Sequence, residues 1–291
     1  LEDLIMYSKG YRLIRDRNQP GMPRQYSIVG KTGETITSLS GTADIVKYDF
    51  GYEIDPVWEA GNKNIPGIYI EFKEPWLNPK GFEQIVYDVL ANTQDMNIIE
   101  KPEPEDTPFY INNGTINVGN TNGKVILQTF SLESLVRVAE VFQGKVPMCF
   151  LLWKGTGATD LTYDDPLGYA SFINLGVKYK AHFIGPCIAG APNDYPELDQ
   201  PWQDYLIHRA KMKNHPYTFD TYDQMAKYFG QYNFGVADGM FNPPYLDALF
   251  TNHSDMSINY MITHGWRKSP ASQTLVDARE VLRKLGYLDN N

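Results

Sequence analysis

"GIYIEFKEPWLNPKGFEQIVYDVLAN", Gly67 to Asn92, decides how the chain is read. Its first six residues form an apolar run of strand length, with β-branched and aromatic members. Phe82, Ile85, Val86, Val89 and Leu90 then recur at i, i+3, i+4, i+7 and i+8, one apolar face of a helix. A strand followed closely by a helix is a βα unit, and such units build parallel sheets.

Moving outward, further strand-length runs lie at 125–129, 146–152, 181–185, 214–219, 236–241 and 258–263. Residues 1–7 and 11–15 supply one more strand or a hairpin. Helix-period segments lie at 131–142, 166–179, 201–213, 221–229 and 271–285. Ser131 is placed to cap the first of these, with Glu133 in its first turn. Asp220–Asp223 reads as a capping box. About eight alternating units suit a closed α/β barrel, the (β/α)8 TIM barrel, better than an open sheet. Residues 16–64 and 101–124 are rich in Pro, Gly, Thr and Asn and break the rhythm, so they read as loop insertions. A single domain over 1–291 is expected.

Of the residues, 42% are hydrophobic and 21% charged, the balance of a folded globular protein. A net charge of −9 argues against nucleic-acid binding, which needs clustered Lys and Arg. It leaves room for a small ligand, a metal ion or a protein partner. No run of ~18 apolar residues is present, so no transmembrane helix is indicated. Cys149 and Cys187 sit in or near apolar runs and read as buried thiols, with a disulfide left open. Sequons at Asn113–Thr115 and Asn252–Ser254 point toward secretion, periplasmic in a bacterium. The chain opens on Leu1, as expected where a preceding segment has been removed.

Three places could carry chemistry. Glu71 and Lys73 are two apart on a strand and face the same side. At the C-terminal end of a barrel strand they would reach the site such folds use. The carboxylate could hold a hard cation and the ammonium a phosphate; an ion pair at a strand end is the plainer reading. His264 follows the run 258–263 and precedes Gly265, which lets a ligand approach closely. His215 is held extended by Pro216 and reads either as a ligand contact or as a hydrogen-bonded core histidine.

"IPGIYIEFKEPWLNPKGFE", "KVILQTFSLESLVRV", "HFIGP", "NHPYTF" and "GVADGMFNPPYLDALF", in this order, resemble the glycerophosphodiester phosphodiesterase family over about residues 65–250. The likeness is nearest to its periplasmic bacterial branch, which shares the "PW" after the E-x-K strand and the "HPYT". The opening "LEDLIMYSKGYRLIRDRN" resembles that family from its second strand onward. Glu2 and Asp3 stand near its E-x-D, and Arg15–Asp16 stands where H-D occurs. "MITHGWRKSPASQTLVDAREVLRKLG" resembles the family's first strand, loop and helix. The first βα unit is therefore expected at the C-terminus, over 257–291, through circular permutation or through excision from tandem copies.

The resemblance implies two catalytic histidines and a divalent cation, Mg²⁺ or Ca²⁺, for metal-assisted phosphodiester hydrolysis. His264 matches the first histidine, and Arg15 replaces the second. Arginine stays protonated and cannot exchange a proton near neutral pH. Glu71 matches the metal-binding glutamate, with Glu2 and Asp3 as its partners. Adjacent residues on a strand face opposite sides, so Glu2 and Asp3 cannot both enter one pocket. Lys73, Trp76 and His215 are the residues the resemblance puts beside substrate. Two readings follow: a phosphodiesterase with a weakened site, or an inactive homologue serving as an extracellular binding or structural protein. The partner is a small phosphodiester or another small ligand, with self-association or neighbouring repeats left open. His264, Glu71, Lys73 and Arg15 are expected to converge on one pocket, and Leu1 and Asn291 to lie close together.

Overall fold

The computed structural model describes residues 1–14, 28–29, 35–36, 51–54, 67–92, 109–112, 115–118, 125–153, 163–231, 234 and 241–267. Helix α1 (Glu2–Ser8) leads into strand β1 (Tyr11–Ile14). Then come β2 (Ile28–Val29), β3 (Thr35–Ile36), β4 (Gly51–Ile54) and β5 (Ile68–Glu71). Helix α2 (Phe82–Asn92) follows, then β6 (Phe109–Asn112), β7 (Thr115–Val118) and β8 (Val125–Thr129). The remaining order is α3 (Leu132–Phe142), β9 (Met148–Leu152), α4 (Pro166–Lys178), β10 (Phe183–Pro186), α5 (Pro201–Arg209), β11 (Lys213–Asn214), α6 (Tyr222–Tyr228) and α7 (Ser254–Thr263).

Five strands form one parallel sheet in the order β11-β10-β9-β8-β5. The other strands form three antiparallel pairs, β1 with β4, β2 with β3 and β6 with β7. The fold is mixed α/β, with parallel strands alternating with helices as the sequence pattern requires. Each strand lies beside the next one in the chain from β8 to β11. Right-handed crossovers taken always in one direction put every connecting helix on the same face. The core shows this. Ile68, Leu127, Phe150 and Ile184 from the strands pack with Leu90, Leu135, Phe172 and Ile207 from the helices in one buried cluster.

Alternate residues point the other way. Tyr69, Ile126, Cys149, Leu151 and Phe183 form a second cluster on the opposite, inner face, joined by Phe130, Tyr217 and Phe250. That face curls tightly. In a flat sheet β5 and β11 would stand roughly 19 Å apart, four strand spacings. Yet the Tyr69 hydroxyl lies 3.2 Å from Nδ1 of His215, and the Tyr69 ring meets that of Phe250 at 4.8 Å. Residues 247–250 extend the parallel pattern past β11. Asp247 N–H donates to Asn214 C=O at 2.8 Å, Phe250 N–H to Pro216 C=O at 3.0 Å and Phe219 N–H to Phe250 C=O at 2.8 Å. Such curling leaves little room inside. A Cβ on Gly185 would lie 2.7 Å from Leu151 Cδ2 and 2.9 Å from Cys149 Sγ. The architecture is compatible with a TIM-barrel-like α/β fold.

Local chemistry explains most helix starts. Ser131, Asp165 and Thr221 each accept a backbone N–H at an N-cap, and Pro166 and Pro201 occupy first-turn positions. The capping box at α6 runs from Thr221 to Gln224 and so starts one residue later than Asp220. Helix α2 is rotated from the face its sequence suggests. Glu83, Val86 and Leu90 are buried while Ile85 is 57% exposed. Arg137 of α3 reaches within 3.8 Å of Glu83, which compensates a buried carboxylate.

Two expected strands are helices. Residues 2–8 form α1, where Ile5, Met6 and Ser8 turn inward, while Tyr11–Ile14 of the same expected strand or hairpin is the strand β1. The run 258–263 belongs to α7, whose Met256, Ser257, Tyr260 and Met261 recur at helical spacing against a cluster with Phe219, Tyr228 and Phe229. A first barrel strand at 258–263 is therefore corrected: short apolar runs fit either period, and here packing selects the helical one. The expected helix 271–285, and with it the rest of the displaced unit, lies outside the described residues, as do Asn291 and residues 236–240. The run 214–219 keeps only a short ladder, since Pro216 has no N–H to give.

Candidate functional site

A cavity of about 340 Å³ opens at the C-terminal end of the inner face. Strand periodicity puts Glu71, Gln128 and Leu151 into it from β5, β8 and β9, with Phe130 just beyond β8. Tyr217 and Thr218 enter from the segment after β11, Tyr195 from the loop after β10, and Phe250, Thr251 and Asn252 from the segment before α7.

Glu71 is the carboxylate of this lining. Its Oε1 lies 3.1 Å from Lys73 Nζ, and Oε2 receives Gln128 Nε2–H at 3.5 Å. The plain expectation of an ion pair at a strand end is thus observed, and it stands at the pocket. Lys73 is 69% exposed at the rim. Gln128 Oε1 is buried with no hydrogen-bond partner among the described residues.

Aromatic rings form an arc along one wall. Trp153 meets Tyr195 edge-on at 6.4 Å, Tyr195 meets Tyr217 at 5.9 Å, and Tyr217 meets Phe130 at 5.7 Å. The Tyr217 hydroxyl donates to Leu152 C=O at 3.0 Å, and burial pushes its pKa well above the ordinary tyrosine value. Asn252 donates through its backbone N–H and Nδ2 to the two carboxylate oxygens of Asp220, both at 2.9 Å. That clip holds the loop carrying Thr251 and Asn252 against the start of α6.

The expected site residues do not all meet. Glu71 lines the pocket and Lys73 borders it. Trp76 projects from the loop after β5 and is 71% exposed. His215 lies deeper on the inner face, stacked on Phe183 at 4.0 Å. Burial lowers its pKa to about 4, so it is a neutral core imidazole. His264 is the C-cap of α7. Its ring is exposed, stacks on Tyr260 at 4.1 Å, and its Nδ1 lies 2.9 Å from Tyr260 C=O. The helix that separates it from Asn252 is roughly 15 Å long at 1.5 Å per residue. The convergence expected of His264 with Glu71 is corrected accordingly, because its assumed strand is a helix. Glu2 and Asp3 occupy the first turn of α1 and not a strand. Arg15 lies outside the described residues, as does Asn113 of the first sequon.

Among the described residues no three His, Cys, Asp or Glu side chains converge as metal ligands. Glu71 already shares its carboxylate with Lys73. Among the described lining residues Glu71 is the carboxylate that a divalent cation could use, with waters or phosphate oxygens completing its shell. Cys149 and Cys187 are free and buried, and burial first of all pushes both thiols up to about 12.

A second polar cluster lies at the outer end of β11. Buried Asn214 donates through Nδ2 to Asp199 Oδ1 at 2.8 Å, Asp204 Oδ1 at 2.9 Å and Tyr245 C=O at 3.1 Å. Burial, and then the neighbouring charge of Asp204, hold the Asp199 carboxyl well above the usual range. Next to it His208 bridges Asp204 at 3.3 Å and Asp247 at 2.8 Å. This cluster ties α5 to the 245–247 segment and is a structural clamp.

Sequence reasoning missed Gln128, Phe130, Tyr195, Tyr217 and Asn252. Two of them carried a signal: Gln128 and Phe130 continue the period-two series from Ile126, so a polar side chain faces inward near the end of an apolar strand. Tyr195 and Asn252 sit in loops, whose position no local pattern encodes. Comparison with protein-family models gave no match, and comparison with curated proteins gave none either.

Proposed function

We propose that the chain is a (β/α)8 barrel of the glycerophosphodiester phosphodiesterase type that binds a small phosphodiester at the C-terminal rim, with hydrolysis weakened or lost. The observation that carries the reading is Glu71: the E-x-K strand delivers it, with Lys73 at its side, to the mouth of a pocket on the curled face of a parallel sheet. That is where α/β barrels place their chemistry. Lys73 offers a charge to a phosphate at the rim, and the aromatic wall shields the group attached to it.

The binding reading is favoured over turnover by the lining itself. Among its described residues Glu71 is the carboxylate and no histidine is present. Acid–base hydrolysis needs a donor and an acceptor positioned on the reacting atoms. His215 is walled off by Tyr69 and Phe183, and His264 sits at the far end of α7.

The test is release of glycerol phosphate from a glycerophosphodiester, with and without chelator, beside calorimetric binding of the same compound. Binding without turnover, weakened in Glu71→Ala, is the expected result. Chelator-sensitive turnover that Glu71→Ala abolishes would establish the hydrolytic reading in its place. Neither binding nor turnover would refute both.

A further inference from the structure

We propose that the polar cluster at the outer end of β11 is a proton-operated clamp: Asp199 takes up one proton from solvent, and the O–H so formed is the donor that the cluster lacks. This does not depend on what the inner-face pocket binds.

The cluster holds more acceptors than hydrogens. The Asn214 amide has two N–H groups to give. Three acceptors surround its Nδ2: Asp199 Oδ1 at 2.8 Å, Asp204 Oδ1 at 2.9 Å and Tyr245 C=O at 3.1 Å. Asp199 and Asn214 are both at 0% exposure. Asp199 Oδ2 and Asn214 Oδ1 have no hydrogen-bond partner among the described residues. With Asp199 ionised, both of these orphan atoms can only accept. A proton on Asp199 Oδ2 turns one of them into a donor, and Asn214 Oδ1 is an acceptor on the amide that Asp199 already touches.

The neighbours are committed elsewhere. In the same segment, Glu197 takes the Tyr228 hydroxyl and Lys227 Nζ of α6, the latter at 2.8 Å. From α5, His208 pairs with Asp204 at 3.3 Å and with Asp247 at 2.8 Å. Lys213 of β11 lies 3.7 Å from Asp247, which also receives the Asn214 N–H at 2.8 Å. Tyr169 of α4 gives its hydroxyl to Leu198 C=O at 2.9 Å, and Cys187, just past β10, directs its thiol to Pro196 C=O at 3.3 Å. Among the described residues, then, Glu197, Asp204 and Asp247 each contact a cation and Asp199 contacts none. A buried carboxylate without a counter-charge relieves that cost by taking a proton. Burial, and then the charge of Asp204, accordingly hold the Asp199 carboxyl well above the usual range.

The proton ties three segments together. They run on from Asp199 back to Tyr195, from Asn214 to Tyr217 and from Asp247 to Phe250, all in the pocket wall. The folded value of Asp199 lies above the unfolded one. The contribution of the proton is therefore complete below about pH 4 and is lost as pH rises through the folded value. The clamp tightens in acid and loosens in base.

The experiment combines infrared spectroscopy and urea unfolding of the full chain, wild type beside Asp199→Asn. At about pH 6 ordinary carboxyls are ionised, so a carboxylic acid C=O band in the folded wild type, absent from Asp199→Asn, is expected. The amide variant is neutral at every pH. The folding constant of the wild type relative to it should fall about tenfold per pH unit above about pH 4, and level off where the band is lost. Absence of the band, its survival in Asp199→Asn, or a ratio independent of pH overturns the proposal. Asp204→Asn keeps the test decisive if Asp199→Asn does not fold. Without the neighbouring charge the band should remain but be lost at lower pH than in the wild type. A band missing from Asp204→Asn would place the proton on Asp204, and an unmoved one would place it outside the cluster; either overturns the assignment.

Discussion

Replacing His208 by Gln tests whether a charge holds α5 to the end of the described sheet. The imidazole lies between Asp204 at 3.3 Å and Asp247 at 2.8 Å. Hydrogen bonds to Asp204 and then Asp247 raise its pKa from 6.5 to about 10, against the opposing effect of burial. Asp247 moves the other way: burial raises its pKa, but His208, the Asn214 N–H and Lys213 together bring it below the ordinary value. Because the folded value of His208 lies above the unfolded one, its stabilisation is complete below about pH 6.5. It is lost as pH rises through about 10. A fully sheltered ring with that rise would contribute roughly 5 kcal/mol. The side chain is 40% exposed, so solvent screening reduces this to about 1–2 kcal/mol. Urea unfolding of the wild type and His208→Gln at pH 6, 8 and 10.5 measures it. The difference in unfolding free energy should be about 1–2 kcal/mol at pH 6 and close to zero at pH 10.5. An equal difference at both ends would show that shape, and not charge, makes the clamp. No difference at any pH would refute the argument altogether.

Two further stability predictions follow from burial. Gly185→Ala places a Cβ 2.7 Å from Leu151 and 2.9 Å from Cys149, and should lower stability by about 1–3 kcal/mol in the same assay. A neutral result would mean that the inner face is looser than its contacts imply. Asn214→Leu removes the amide that serves Asp199 and Asp204 and leaves two buried carboxyls facing an apolar group. It should cost about 3 kcal/mol or more, with the loss easing toward low pH as Asp199 protonates.

The helices at 82–92, 131–142, 166–179 and 221–229 were legible because each carries an apolar period of 3.6, and the last three carry side chains able to cap them. The strands at 125–129, 146–152 and 181–185 were legible to within two residues as runs too short for a helix. The run 258–263 failed for the same reason that those succeeded. Six apolar and polar residues in a row fit two periods, and what chose between them was the cluster of Phe219, Tyr228 and Phe229 waiting for Met256, Tyr260 and Met261. With that strand gone, His264 no longer ends beside Glu71.

The candidate site divides along the same line. Glu71 and Lys73 could be read directly, since residues two apart on a strand share a face and neither charge rests easily in an apolar interior. Which face was curled inward, and which aromatic residues would gather there, could not. Tyr69, His215 and Phe250 are far apart in the chain, and their meeting depends on how strongly the sheet bends. The sequence by itself determined the alternation of parallel strands and helices and the direction of each strand's side chains, because those are set by periods within one segment. Only the tertiary structure decided that Glu71 faces an aromatic wall, that His215 is buried and neutral, and that His264 caps a helix, because each depends on packing between segments that no local period encodes.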